Sequence, residues 1–228
     1  MQIYAHRGAS ADFPEMTADA YYGAVEQGAD GFECDLRLSR DEVPVLWHNA
    51  SMVERAGHDG LIAELKYSDI KRAYPQVLTL DEFLDIAIET NKGVLIETKH
   101  PVISGNRVEE LLVERLVNRK VLKKIHCSVM SFSWGAIEKL HRLDPDIPTT
   151  FLMSSRTIWM QARFTSAQRI APGINEVREN PELISKIKQL GKSTAVWTVD
   201  QGSDIELCRD LGVDIAITNT PSRARTFL

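Results

Sequence analysis

Two acidic residues, Glu33 and Asp35, stand two apart in an apolar run, Gly31–Leu36. Side chains along a strand alternate between its two faces, so both carboxylates would share one face while Phe32 and Cys34 take the other. Two like charges in a buried strand are unfavourable unless a positive group lies between them. The spacing therefore indicates a positively charged group beside Glu33 and Asp35.

Other reactive side chains end further strand-like runs. Glu97 and Lys99 repeat the two-residue spacing at the end of a third run. His6 and Arg7 close the first run, and His48 closes an additional one. Each feature alone has an ordinary explanation, since a Glu-x-Asp pair usually marks a solvated strand edge. Their coincidence at several strand ends favours an active site in which imidazoles exchange protons near neutral pH.

Short apolar, β-branched runs alternate with segments of helical period along the whole chain, which is typical of parallel strands covered by helices. Eight such units in 228 residues predict an α/β fold, a closed (β/α)₈ TIM barrel. An open doubly wound sheet is the alternative, although no Gly-x-Gly-x-x-Gly follows the first strand. The predicted strands are Ile3–Ala5, Gly31–Leu36, Val94–Thr98, Ile125–Met130, Ile147–Leu152, Arg169–Ala171, Ser193–Val199 and Val213–Thr218.

One connection is much longer than the others. Roughly forty residues separate the second predicted strand from the helix that starts at Leu80. They contain an extra strand-like run, Val43–His48, and a charged segment, Ala50–Pro75. Because the composition does not change there, we interpret residues 1–228 as a single domain with a small insertion after the second strand, at about 38–79, on the face that carries the site.

Composition excludes several classes of protein. With 43% hydrophobic and 26% charged residues the chain is neither disordered, collagenous nor a coiled coil. A net charge of -5 without a basic cluster argues against nucleic acid as a partner. No signal-peptide pattern and no long apolar run is present, so we expect a cytoplasmic protein without stable membrane insertion. The three scattered cysteines predict reduced packing residues, and the oligomeric state stays open.

Nine short segments carry an ordered set of motifs: His6–Ser10, Pro14–Thr17, Gly28–Asp35, Val43–His48, Ile96–Lys99, Ser131–Phe132, Trp197–Asp200, Gly212–Asp214 and Thr218–Pro221. In this order they resemble the glycerophosphodiester phosphodiesterase family. The resemblance spans nearly the whole chain, and the combination is specific although each motif alone is weak. It implies a metal-dependent barrel enzyme that hydrolyses small-molecule glycerophosphodiesters to glycerol 3-phosphate and an alcohol.

The resemblance also implies roles for individual residues. Glu33, Asp35 and Glu97 would bind one divalent cation, and all-carboxylate ligation favours a hard ion, Mg²⁺ or Ca²⁺. His6 and His48 would form the acid–base pair.

The remaining implied roles concern the substrate. Arg7 and Lys99 would hold the phosphate, which needs positive charge at its non-bridging oxygens. Trp197 would pack against the glycerol moiety, and Glu15 would support the site.

Four positions depart from the family pattern. Met16 stands where asparagine is common, and Asn49 follows the second histidine where aspartate is usual. Asp200 stands in place of an asparagine, and Asn219 in place of an aspartate. A neutral amide supplies only hydrogen bonds, so an altered substrate preference is an open alternative.

Two other functions remain as alternatives. If the loop Ala50–Pro75 is apolar towards the site, the substrate could be a lysophospholipid and the product a cyclic phosphate, as in phospholipase-D-like barrels. The mixed charge of that loop favours a soluble headgroup instead. A non-catalytic barrel that binds phosphorylated metabolites would have no need for two histidines and three carboxylates.

Overall fold

Eight parallel strands close into a barrel in the computed structural model, which describes residues 1–228. Strand β1 (Gln2–His6) pairs with both β2 (Gly31–Leu38) and β11 (Ile215–Thr218), and this double pairing closes the sheet. The barrel continues from β2 through β6 (Gly93–Thr98), β7 (Cys127–Ser131), β8 (Thr149–Met153), β9 (Arg169–Pro172) and β10 (Ser193–Val196) to β11. The predicted TIM barrel is confirmed, with strand ends that differ from the predicted ones by up to 3 residues.

Helices cover the outside of the barrel. None of them combines the length and the apolar composition that crossing a membrane would require. Short 3₁₀ helices span Ile62–Glu64 and Val121–Lys123. The α-helices are α1 (Ala18–Glu26), α2 (Val53–Ala56), α3 (Tyr67–Ala73), α4 (Leu80–Glu89), α5 (Arg107–Asn118), α6 (Trp134–Leu143), α7 (Trp159–Phe164), α8 (Ile174–Glu179), α9 (Glu182–Gln189), α10 (Gly202–Asp210) and α11 (Pro221–Arg225).

The apolar core lies mostly between the strands and the helices. On β2, Phe32 and Cys34 are fully buried in this layer. The Phe32 ring packs 5.2 Å from Tyr21 of α1 and 6.4 Å from Phe83 of α4. Because the outward side chains of β2 fill this layer, Glu33 and Asp35 take the inner face, as the alternation predicts.

Tyr4 fills the lower part of the barrel interior. Its ring lies over Gly31, and its hydroxyl lies over Gly93, two positions where a β-carbon would overlap the tyrosine. The hydroxyl is 3.4 Å from Nδ1 of His126. Burial raises the pKa of Tyr4 to about 12, so its phenol stays neutral beneath the charged site.

The insertion forms a small subassembly with its own apolar core. Strand β3 (Pro44–Leu46) runs antiparallel to the end of β2, and β4 (Ser51–Met52) pairs with β5 (His58–Leu61). Trp47 is fully buried in this subassembly with Met52 and Ile62. The packing of β3 against β2 places the following His48 beside the carboxyl ends of the barrel strands.

We expect Gly93→Ala to destabilise the protein through its contact with Tyr4. The new methyl group would overlap the tyrosine hydroxyl, and overpacking of this kind costs about 1–3 kcal/mol. In a Tyr4→Phe background the overlapping oxygen is absent, so the same substitution should cost less than about 1 kcal/mol. Urea unfolding of the four proteins measures both values. An equal loss in the two backgrounds would contradict this packing.

Candidate active site

Three carboxylates meet at the carboxyl ends of two neighbouring strands. Asp35 of β2 and Glu97 of β6 are direct partners in the parallel register, and Glu33 lies two residues earlier on β2. One oxygen from each of the three lies within 4.8 Å of the others. Glu33 and Asp35 are each 1% exposed and Glu97 is 7% exposed. Strand register thus produces a buried acidic cluster.

Two basic side chains contact this acidic cluster. Lys99 Nζ lies 2.7 Å from an oxygen of Glu97 and 3.1 Å from Oδ1 of Asp35. Arg7 Nε lies 2.8 Å from Oδ2 of Asp35, and the Arg7 backbone N–H donates to Glu33 at 3.2 Å. Both basic groups therefore offset part of the negative charge of the cluster.

Glu15 is fixed between two arginines. Its carboxylate lies 2.8 Å from Nη1 of Arg7 and 3.2 Å from Nη1 of Arg55. The Arg55 guanidinium in turn stacks 4.8 Å from the ring of Trp47 and 5.1 Å from that of Tyr74. This arrangement ties the insertion to Arg7 and so helps to orient the arginine.

The electrostatics of the cluster are uneven. Burial and the neighbouring Asp35 raise the pKa of Glu33 well above its usual value, and they raise that of Glu97 to about 7. Burial also acts to raise the pKa of Asp35, but Lys99 and Arg7 outweigh it and hold that pKa below its usual value. For Glu33 and Glu97, the positive charge that the protein places nearby therefore does not offset the effects of burial and of Asp35.

The donor set fits a hard divalent cation. Its three ligands are all carboxylates, the type that Mg²⁺ and Ca²⁺ prefer. Oδ2 of Asp35 is buried and has no hydrogen-bond donor, although Arg7 Nε is close in distance. An oxygen of this kind is available to a cation.

His6 and His48 both line the cavity above the acidic cluster. Nε2 of His6 lies 3.9 Å from an oxygen of Glu33, whereas its Nδ1 contacts Asn219 at 2.7 Å. Nδ1 of His48 contacts Asn49 at 2.7 Å. Burial lowers the pKa of both histidines, and Arg7 lowers that of His6 further.

An aromatic wall closes the other side of this cavity, which has a volume of about 130 Å³. The Trp197 ring meets that of Phe132 edge to face with centroids 5.3 Å apart. The Trp197 indole N–H donates to the carbonyl of Ala171 at 2.9 Å, which fixes the ring. The cavity thus joins a charged end to an apolar end.

An open recess of about 350 Å³ lies on the far side of Lys99. The insertion and the loop after β6 form its walls, with Leu61, Ile62 and Ile103 among the mainly apolar lining residues. Its only charged residues are Arg37 and Lys99. The lining is thus mainly apolar and basic, and no acidic residue of the insertion is among the lining residues.

Two residues of the site were not singled out from the sequence. Arg37 continues the alternation of Glu33 and Asp35 on β2 and donates from Nε to the carbonyl of His48 at 2.9 Å, so the spacing could have identified it. Arg55 had no such signal, because its partners are distant in sequence. The other four histidines of the chain, His58, His100, His126 and His141, line neither cavity.

Comparison with known proteins assigns the family. Residues 6–223 match the sequence profile of the glycerophosphoryl diester phosphodiesterase family. The chain is 32% identical to the probable glycerophosphodiester phosphodiesterase 1 of Mycobacterium tuberculosis over 99% of its own length and 92% of the relative's. The chain belongs to this family. The resemblance seen in the motifs is confirmed, and the protein is a phosphoric diester hydrolase.

Further members of the family align over nearly their full length. A glycerophosphodiester phosphodiesterase of Caldanaerobacter subterraneus is 26% identical over 96% of this chain and 94% of the relative. An Oleispira antarctica phosphodiesterase, solved with the product sn-glycerol-3-phosphate, superposes with a TM-score of 0.87 at 22% identity, covering 100% of this chain and 96% of that one. This structural likeness shows the shared barrel fold.

We expect the metal-free protein to lose stability as the pH rises. The pKa of Glu97 is about 7 when folded and 4.5 for an ordinary glutamate, so between these values the folded state alone keeps the proton. The free energy of unfolding should therefore fall by on the order of 2–3 kcal/mol from acid to neutral pH. Glu33 contributes with the same sign and Asp35 with the opposite sign. Urea unfolding in chelator at several pH values measures the fall.

Added Mg²⁺ or Ca²⁺ should restore stability mainly above neutral pH, because a bound cation replaces the protons. Glu97→Gln should show a shallower pH dependence than the wild type. An unchanged slope in that variant, or no stabilisation by either ion above neutral pH, would contradict the interpretation of the cluster.

Proposed function

We propose that this protein hydrolyses glycerophosphodiesters to glycerol 3-phosphate and an alcohol in a reaction that depends on a divalent cation. The observation that carries the proposal is the buried cluster of Glu33, Asp35 and Glu97 beneath two histidines. The cation, when bound by these carboxylates, supplies positive charge at the non-bridging oxygens of the phosphate. The product complex of the Oleispira antarctica relative supports this class of substrate.

Arg7 and Lys99 bind the phosphate from the two sides of Asp35 and neutralise the charge that develops at phosphorus. Trp197 packs against the glycerol moiety, a contact for which its fixed indole ring is suited. Glu15 holds Arg7 in the orientation that the phosphate requires.

His6 and His48 act as general base and general acid. In the first step the base takes the proton of the glycerol 2-hydroxyl, whose oxygen attacks phosphorus, while the acid protonates the departing alcohol oxygen. A cyclic phosphate forms and the alcohol leaves. An adjacent hydroxyl benefits from a high effective molarity, on the order of 10⁵ M or more.

Water opens the cyclic phosphate in the second step, and the two histidines exchange roles. The histidine that is now neutral takes a proton from water, and the other returns a proton to the glycerol oxygen. Both imidazoles regain their starting protonation states, so the cycle closes without any further proton donor.

The proposal extends to organisation and location. Residues 1–228 act as a single phosphodiesterase domain with an insertion at about 38–79. The enzyme works in the cytoplasm, a reducing compartment in which the buried, unpaired Cys34, Cys127 and Cys208 remain thiols.

Replacing either histidine tests the chemistry. We expect His6→Ala and His48→Ala each to lower kcat by at least about 10²-fold, because one proton transfer in each step loses its partner. Release of glycerol 3-phosphate, followed with and without chelator, measures the effect. The exposed His141→Ala variant is the matched control and should keep wild-type turnover. Near-normal rates in both site variants, or full activity in chelator, would reject the mechanism.

The charge of the recess beside Lys99 predicts which leaving alcohols the enzyme prefers. Its charged lining is purely basic, so uncharged alcohols should exceed choline and ethanolamine in kcat/KM by about tenfold, equivalent to about 1.4 kcal/mol. Ala63→Asp places a carboxylate in the recess and should reduce this preference, whereas Ala63→Ser should not. Phosphorus NMR of a panel of glycerophosphodiesters measures both rate and product. A preference for the cationic alcohols that Ala63→Asp leaves unchanged would show that the leaving group lies elsewhere.

A further inference from the structure

Both histidines of the site make the same local contact. Nδ1 of His6 lies 2.7 Å from Oδ1 of Asn219, and Nδ1 of His48 lies 2.7 Å from Oδ1 of Asn49. The two asparagines come from opposite parts of the chain, one after β11 and the other in the insertion. The repeated geometry therefore comes from two independent contacts.

The orientation of the Asn219 amide is set by Asp200. Its carboxylate accepts from the Asn219 side-chain nitrogen at 2.7 Å, from the Asn219 backbone N–H at 2.8 Å and from the Thr218 hydroxyl at 2.9 Å. Rotating the amide by half a turn would place its oxygen against this carboxylate. The amide oxygen must therefore face His6, where Ser10 Oγ also approaches it at 2.7 Å.

The orientation of the Asn49 amide is set in the same way by Glu54. The Asn49 side-chain nitrogen donates to the Glu54 carboxylate, and its oxygen is left to face His48. Glu54 is an exposed residue of α2, whereas Asp200 is partly buried and accepts three hydrogen bonds. The Asn49–Glu54 pair is thus the less constrained of the two.

An amide oxygen accepts hydrogen bonds and never donates them. Each histidine must therefore donate from Nδ1, and the neutral ring keeps its lone pair on Nε2. We propose that Asn219 and Asn49 are positioning residues that fix this tautomer in both histidines, so that every proton of the reaction is exchanged at Nε2. The inference rests on the acid–base roles proposed above for His6 and His48.

This arrangement connects three of the departures from the family pattern. Asp200 and Asn219 contact each other, so the two departures are a reciprocal exchange that keeps one amide and one carboxylate in the pair. Asn49 acts on His48 as Asn219 acts on His6. Each amide orients its histidine without adding a negative charge beside an anionic substrate.

The tautomer is measurable without catalysis. In uniformly ¹⁵N-labelled protein, at a pH where both rings are neutral, the imidazole shifts should report a protonated Nδ1 and a bare Nε2 for His6 and His48. Asn49→Leu and Asn219→Leu remove the acceptor and should each change the tautomer of their own histidine alone. Wild-type shifts that report a protonated Nε2 in either ring would overturn the proposal for that ring.

Kinetics test whether the tautomer matters. Asn49→Leu should lower kcat by about 10–100-fold and leave KM within about threefold, because orientation and not substrate contact is lost. Asn49→Asp combined with Glu54→Gln keeps an acceptor on His48 without opposing two carboxylates, and it should recover most of the loss. Equal turnover in the wild type and Asn49→Leu, or no recovery in this double variant, would overturn the positioning role.

Asn219 needs a second variant because its substitution could disturb the fold. The double exchange Asp200→Asn with Asn219→Asp reverses the pair and keeps an acceptor on His6, whereas Asn219→Asp alone opposes two carboxylates. We expect the double variant to be at least about tenfold faster than the single one. A double variant no faster than the single one would count against the pairing.

The two levels of inference fail separately. If His6→Ala and His48→Ala keep normal turnover, the proposed catalytic roles are wrong, whatever the NMR shifts show. If the two histidine variants are inactive but the asparagine variants keep wild-type turnover, the catalytic roles of His6 and His48 stand. The positioning role of the asparagines is then rejected.

Discussion

Repulsion among three buried carboxylates is the constraint on which the rest of this site depends. Glu33, Asp35 and Glu97 lie close together and out of water, where like charges interact strongly. Lys99 and Arg7 neutralise Asp35 well but leave the other two with raised pKa values. The folded protein therefore carries a destabilising charge arrangement that a bound cation would relieve. Such a local penalty is expected at a functional site, where stability is lower than packing alone would give.

The barrel tolerates this arrangement because its stability is built elsewhere. The apolar layer between strands and helices holds most of the buried hydrophobic residues, including Phe32, which is the direct sequence neighbour of Glu33. One strand thus contributes to the core with one face and to the site with the other. Beneath the charged cluster, the interior is filled mainly by Tyr4 and apolar side chains, and Arg169 at the start of β9 is a basic group there.

How well the sequence predicts a feature of this structure depends on how far apart along the chain the interacting residues lie. The alternation of apolar runs is local, so it predicts eight strands, the long insertion and the common face of Glu33 and Asp35. Contacts between distant segments are not encoded in any local pattern. The ion pair of Arg55 with Glu15, 40 positions earlier in the chain, ties the insertion to the site and could not be predicted for that reason. Asp200 and Asn219 likewise read as two separate departures until the closed barrel brings them into contact.

Charge balance explains why amides suit the positions beside the histidines. With every carboxylate ionised, the acidic cluster and Glu15 carry as many negative charges as Arg7, Lys99, Arg37 and Arg55 carry positive ones. A bound dication would make this group of charges positive, and that charge would attract an anionic diester. Carboxylates at both asparagine positions would offset that positive charge, and they would orient the imidazoles no better than the amides do. The amides orient both rings, and the carboxylates that fix the amides, Glu54 and Asp200, contact the asparagines and not the histidines.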